Sequence, residues 1–267
     1  VSGNGVFLAG KDIVPYQVTT SGAVGIAGVK NPLFGSASCR DALNALITGP
    51  RQHLLEAEYT KITKRSVDIE MSLNPKLSAS PASDAFAALG ANSLASQLSM
   101  VARMIKLRDE LSVKRQVFFV SLGGFDTHSG LVTNHPELLA QVASAMDAFN
   151  KAMIELGMDN NVTAFTASEF GRTLNSNGDG SDHGGGSMHF ALGGAVNGKN
   201  FYGKAPVPGN NGPDDVGRGR LVPTTSVDQF GATLGTWFGV SATELADVFP
   251  NLKEFSAKDL GFMKPPV

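Results

Sequence analysis

Val117-Phe118-Phe119-Val120-Ser121-Leu122 is a continuous apolar run, rich in β-branched and aromatic residues and stopped by Gly123-Gly124. Such a run predicts a strand buried on both faces. After Asp126-Thr127-His128, a helix is signalled by Asn134 and Pro136, by Leu138, Val142, Ala145, Phe149, Met153 and Leu156 at spacings of three and four, and by Gly157 as a stop. Residues 162–167 supply a second strand, followed at once by Ser168-Glu169-Phe170-Gly171-Arg172-Thr173. Strand, helix, strand at this spacing predicts a right-handed crossover and a parallel sheet in an α/β fold. Asp126, His128 and Glu169 are then expected at the carboxyl edge of that sheet, where open α/β folds place ligands.

The same region, residues 117–189, holds His128, His135, His183 and His189, four of the five histidines, beside Asp126, Glu169 and Asp182. Carboxylates and neutral imidazoles suit a divalent metal, which would activate water or polarise a phosphoryl or sulfuryl oxygen. Arg172, three residues past Glu169, has the planar fork that pairs with a tetrahedral anion. In the loop 175–188, Asn175, Asn177, Asp179 and Gly180 mimic the first half of an EF-hand calcium loop. Position twelve is Gly186, where a bidentate Glu is required, so that reading fails. Each residue also has a plainer reading: Asp126 as a turn cap, Asp182-His183 as a solvated loop tip, His135 as a helix-start residue, His189 as core or support.

The rest of the chain is read as support. Residues 1–10 and 13–19 suggest short strands broken by glycine and Pro15, and the absence of a lead-in suggests a mature or partial product. A helical pattern from Ser38 to about Met71 is interrupted at Gly49-Pro50, and 74–92, with Pro75 and Pro81, is expected to be a linker. Leu94, Leu98, Val101, Ile105 and Leu111 mark another amphipathic helix. The expected organisation is a single α/β domain over 1–267 with a helical cover or lobe at about 38–112. Residues 197–225 are expected to form a substrate-facing surface loop, and Val227, Phe230, Leu234, Trp237 and Phe238 a helix with an apolar stripe.

Composition narrows the function. The formal charge is -2, and no basic cluster is dense enough to track phosphates, Lys61 to Arg65 being one solvated helix turn. Nucleic acid is therefore not an expected partner. No apolar stretch approaches the roughly 20 residues that span a bilayer. The single cysteine, Cys39, rules out an internal disulfide and a cysteine-based metal cluster, and is expected to be a packing residue.

Three motifs carry a family resemblance. Gly123-Gly124-Phe125-Asp126-Thr127-His128, Ser168-Glu169-Phe170-Gly171-Arg172-Thr173 and Ser181-Asp182-His183-Gly184, with Gly193-Gly194-Ala195-Val196 and Tyr202-Gly203 following, resemble the DUF1501 family of bacterial proteins, related to the alkaline phosphatase and sulfatase superfamily. The resemblance implies a mostly parallel, doubly wound sheet flanked by helices. It implies two divalent metals, with Zn, Mn, Mg and Ca all open, that activate a Ser or Thr nucleophile for phosphate or sulfate ester transfer. The substrate is unassigned by the resemblance, and a small-molecule or polymer-borne ester is the expected partner. By the resemblance Asp126, His128 and His183 belong to one metal position and Glu169 to a second; the residues themselves add Asp182 to the candidate ligand set and Arg172 as the catalytic candidate. The resemblance also implies twin-arginine export and a periplasmic or secreted location. The superfamily pattern has three residues between the Asp and His of the first motif, where Asp126 and His128 have one. The superfamily's first metal-binding Asp and its nucleophile segment are expected upstream of Val1. Two functions follow: a metal-dependent ester hydrolase, or a non-catalytic binding or assembly protein, with a protein partner, that keeps the fold.

Overall fold

The computed structural model describes residues 16–265. The expected strand at 1–10 lies outside them, as does the start of the one at 13–19. The chain divides into two compact units, Val1–Leu122 and Gly123–Val267.

Within the described residues the first unit is helical: α1 (Ala27–Lys30), α2 (Ala37–Thr48), α3 (Leu54–Ala79), a 3-10 turn (Asp84–Leu89) and α4 (Ser93–Lys106). The break between α2 and α3 falls at Gly49-Pro50, where proline lacks an amide and forces the preceding residue out of helical geometry. Pro75 does not end α3, which runs on through part of the expected linker to Ala79. So near the end of a 26-residue helix, proline removes one hydrogen bond while packing holds the last turn. Leu73 and Leu77 of that turn are buried with Val18, Ala23, Met100 and Leu107. Arg103 of α4 donates to the carbonyls of Leu77 and Ser80, satisfying acceptors that the helix end leaves open. Cys39 is exposed near the start of α2 and is not the packing residue expected.

The buried Glu70 receives Lys30 at 3.2 Å and the Asn74 amide at 2.7 Å. Asn74 also pairs with both backbone groups of Ala23, accepting from its N–H and donating to its carbonyl, each at 2.9 Å.

The run 117–122 is not a strand, and none of its residues is buried. The Gln97 side chain of α4 takes the role of a neighbouring strand: its Nε2 donates to the Ser121 carbonyl at 2.8 Å, and its Oε1 accepts from the Ser121 N–H at 3.1 Å. A side-chain amide can satisfy one residue's backbone pair but cannot extend a ladder.

The second unit holds α5 (Leu131–Glu155), β1 (Ala164–Phe165), β2 (Gly171–Ser176), β3 (Ser181–Gly184), β4 (Ala191–Leu192), α6 (Val227–Phe238), α7 (Ala242–Val248) and a 3-10 turn (Pro250–Glu254). The expected second strand shrinks to β1, which pairs antiparallel with β4, Ala164 opposite Leu192. Between them β2 and β3 form an antiparallel hairpin, Arg172 opposite His183. The mostly parallel, doubly wound sheet is therefore overturned: among the described residues there are two small two-stranded antiparallel sheets. The chain leaving β1 does not cross over a helix; it turns through the hairpin and comes back beside β1.

Around this nested hairpin the packing is aromatic. Phe230 of α6 contacts Phe165, His189 and Phe262, with ring centroids 5.4–5.9 Å apart. Capping boxes at Ser226 and Ser241 start α6 and α7, and Ala232, Leu245 and Leu252 form a small core with Val240 and Phe249.

Asn74→Ala leaves the buried-edge N–H and carbonyl of Ala23 without their partner. It is expected to destabilise the first unit by about 1–3 kcal/mol in denaturant titration, at unchanged denaturant dependence.

Candidate metal centre

The segment Asp126-Thr127-His128 is irregular in backbone, and what fixes it is the turn of the β2–β3 hairpin. The Ser181 N–H donates to the Thr127 carbonyl at 3.3 Å, and Asn177 Nδ2 donates to the His128 carbonyl at 3.0 Å. Gly180 permits that approach: a Cβ there would lie 2.3 Å from the Thr127 oxygen and 2.5 Å from the His128 carbonyl carbon. The same turn starts α5, since Asp179 accepts the Gly130 N–H on its side chain (2.9 Å) and the Leu131 N–H on its carbonyl (3.3 Å). These bonds satisfy amides that a helix N-terminus leaves unpaired.

Docked so, the hairpin brings His183 to Asp126 and His128. His183 Nε2 lies 2.8 Å from Asp126 Oδ1, His128 Nε2 lies 3.2 Å from the same oxygen, and the two Nε2 atoms are 3.2 Å apart. One ligand atom from each of the three falls within 4.8 Å of the others. Metal–ligand distances of about 2.0–2.2 Å put neighbouring ligand atoms about 2.9 Å apart on an octahedral face and about 3.3 Å apart in a tetrahedron. The triangle matches these edges, and one oxygen with two imidazoles is a fitting donor set for Zn²⁺ or a similar divalent ion.

The neighbouring groups orient the triangle. Arg172, largely buried, donates from Nη1 to Asp126 Oδ1 at 2.8 Å, from Nε to Ser181 Oγ at 3.1 Å, and from Nη2 to the Ser181 carbonyl. The guanidinium foremost, and after it the His183 imidazole, hold the Asp126 carboxyl below its usual range. Asp182 Oδ1 faces His128 Nδ1 at 3.4 Å, a position from which it can accept a proton from that nitrogen when Nε2 serves as a ligand. Asn177 and then Arg218 keep the Asp182 carboxyl ionised below its usual range. Phe170 stacks on the His183 ring, with centroids 4.0 Å apart and planes 17° from parallel.

The motif residues thus separate by position. Asp126, His128 and His183 come together, Asp182 stands behind His128, and Arg172 is committed to Asp126 and Ser181. Glu169 is exposed on the connection from β1 to β2 and lies outside the triangle. With the parallel sheet gone, nothing in the topology carries Glu169 to the edge occupied by Asp126. His135 packs edge-on to Phe125 and His189 against Phe230. Arg218, Asn177 and Phe170 were not singled out from the sequence as site residues. The flanking glycines of Gly217-Arg218-Gly219 were the one local signal for the first of them.

The chain belongs to the DUF1501 family, described as a protein of unknown function, whose pattern matches residues 37–250. No curated protein and no solved structure matches it.

Gly180→Ala is expected to force the hairpin turn off the Thr127–His128 backbone, at a cost of about 1–3 kcal/mol, and to shift the His128 and His183 ring resonances in NMR spectra. A second expectation concerns pH. Asp215 accepts the N–H groups of Asn211 (2.7 Å) and Gly217 (2.8 Å), which, Asn211 foremost, lower its pKa. Its hold on this loop is therefore complete above the unfolded value of about 3.9 and is lost as pH falls through the depressed folded value. Amide exchange at Asn211 and Gly217 should stay protected at pH 5 and become faster than the acid-driven trend of neighbouring amides only in stronger acid.

Proposed function

We propose that this protein is a divalent-metal-dependent hydrolase of phosphate or sulfate esters, with Asp126, His128 and His183 as its metal ligands. The observation that carries this reading is the convergence of one carboxylate oxygen and two imidazole Nε2 atoms, 2.8–3.2 Å apart, on one point of the surface. Two lone-pair-bearing nitrogens and a carboxylate oxygen at such distances repel unless a proton or cation lies among them. A divalent cation bound there supplies Lewis acidity toward a phosphoryl or sulfuryl oxygen and makes water a usable nucleophile at neutral pH.

The chain's own residues do the positioning. Arg172 locks the Asp126 carboxylate in place, Asp182 faces Nδ1 of His128, and Phe170 fixes the plane of His183. The hydroxyls nearest in sequence are engaged: Thr127 is buried, with Oγ1 directed at the Phe125 carbonyl, and Ser168 Oγ donates to the Phe170 carbonyl. Attack is accordingly assigned to water. The side chains of Asp126, His128 and His183 are each about half exposed, an openness that suits an ester carried on a large molecule or polymer as well as a small one. On the export pattern that its family resemblance implies, we place the protein in the periplasm or outside the cell. The engaged hydroxyls also favour the alternative, a binding or assembly protein that holds metal without turnover.

Metal analysis and isothermal titration with Zn²⁺ and Mn²⁺ are expected to give about one ion per chain, with an affinity that falls as the pH is lowered, since metal competes with protons for its ligands. Hydrolysis of aryl phosphates or sulfates should require that ion and disappear in Asp126→Ala and His183→Ala. Asp182→Asn should weaken metal affinity by about 10- to 100-fold. Metal binding without turnover would leave the binding protein as the reading; turnover unchanged in both alanine variants would defeat the hydrolase.

A further inference from the structure

We propose that Arg218, and not Arg172, is the residue that recognises the tetrahedral anion of the substrate. This deepens the hydrolase reading and rests on it for the identity of the ester, while the anion contact itself is a separate property of the chain. Three arginines bear on the site. Arg172 spends all three of its guanidinium nitrogens on Asp126 and Ser181 and is largely buried. Arg220 folds back on its own loop, donating to the carbonyls of Gly217 at 2.9 Å and Val216 at 3.4 Å. Arg218 makes one side-chain bond, from Nη2 to Asp182 Oδ2 at 3.1 Å, and its side chain is 74% exposed. Asp182 is the carboxylate behind His128, so the guanidinium stands one carboxylate away from the triangle with most of its fork facing water.

The loop is built to present this residue. Arg218 has φ +62°, between Gly217 at +104° and Gly219 at +74°, a left-handed run that costs a non-glycine residue energy and must be imposed by its surroundings. The surroundings are specific. Asp215 binds the Gly217 N–H, Val216 N–H donates to the Arg220 carbonyl at 3.0 Å, and the Gly219 carbonyl accepts the Leu174 N–H of β2 at 2.9 Å. A Cβ on Gly219 would lie 2.8 Å from Leu174 Cβ, so the loop is seated directly on the hairpin that carries His183. A strained residue displaying a planar fork beside a candidate cation site matches what a phosphate or sulfate group requires: a cation on one oxygen and a two-pronged donor on the others. In the free protein Asp182 holds the guanidinium in place; an anion competes for its open donors.

The test measures inorganic phosphate binding by calorimetry for wild type, Arg218→Ala and Arg218→Lys, each metal-free and Mn²⁺-loaded, together with Mn²⁺ affinity. Arg218→Ala should raise the phosphate Kd by about 10- to 100-fold in both states. Arg218→Lys should recover part of the loss, since it restores charge but not the fork. Mn²⁺ affinity should stay at the wild-type value, because water can replace the guanidinium on the half-exposed Asp182. The proposal is overturned by an equal phosphate Kd in wild type and Arg218→Ala, or by no phosphate binding in wild type. It is also overturned if Mn²⁺ affinity falls as far as phosphate affinity, which would make Arg218 only a support for Asp182. Arg218-dependent phosphate binding in a chain that takes up no Mn²⁺ would uphold the anion site and defeat the hydrolase reading instead.

Discussion

The contact between the β2–β3 turn and the backbone of Thr127 and His128 governs the second unit. Through Gly180, which has no Cβ to hold it off, the turn closes on that backbone within hydrogen-bonding distance. One docking event then does three things. It orders an irregular segment that has no ladder of its own, supplies the carboxylate and carbonyl that begin α5, and carries His183 across to Asp126 and His128. Each of these needs backbone groups satisfied without regular secondary structure, and side chains of Asn177 and Asp179 provide the partners.

The charges follow from that docking. Asp126 gathers Arg172 and His183 on one oxygen, and Asp182 gathers Asn177, His128 and Arg218. Both carboxylates are thereby held ionised, with an imidazole against each. For exposed groups such pairs contribute little to folding. Their effect is on orientation: a carboxylate pinned by a buried guanidinium and imidazoles fixed by a carboxylate and a stacked ring lose little freedom when a cation arrives, and preorganisation of that kind strengthens binding.

What the sequence made legible was local. The end of α2 could be read at Gly49-Pro50 because proline acts on its immediate neighbour, and the stripes of α4, α5 and α6 could be read because burial of one helix face leaves a period in the residues. The run at 117–122 could not be assigned the same way. An apolar segment becomes a strand only if another strand pairs with it, and here Gln97, a residue of no special composition, took the partner's place. Asp126, His128 and His183, which the family resemblance assigned to one metal position, lie together in space, whereas the parallel sheet edge expected to bring Glu169 beside Asp126 and His128 is absent. It is an antiparallel hairpin that joins the three, and for that reason Glu169 stays apart. Arg218 reaches Asp182 across 36 positions of sequence through a loop whose path is set by Asp215 and Leu174, a long-range contact with no periodic trace.

In the proposed site both imidazoles turn their Nε2 atoms to one divalent cation shared with Asp126. Long-range ¹H–¹⁵N correlation spectra of the histidine rings, recorded during Zn²⁺ titration of the ¹⁵N-labelled protein, test it most directly. Nε2 of His128 and of His183 should move together to metal-bound shifts at one equivalent, with Nδ1 of His128 protonated against Asp182 in the metal-bound form, while His53, His135 and His189 stay where they were. Unchanged Nε2 resonances for His128 and His183, or metal-bound shifts at any of the other three rings instead, would contradict it.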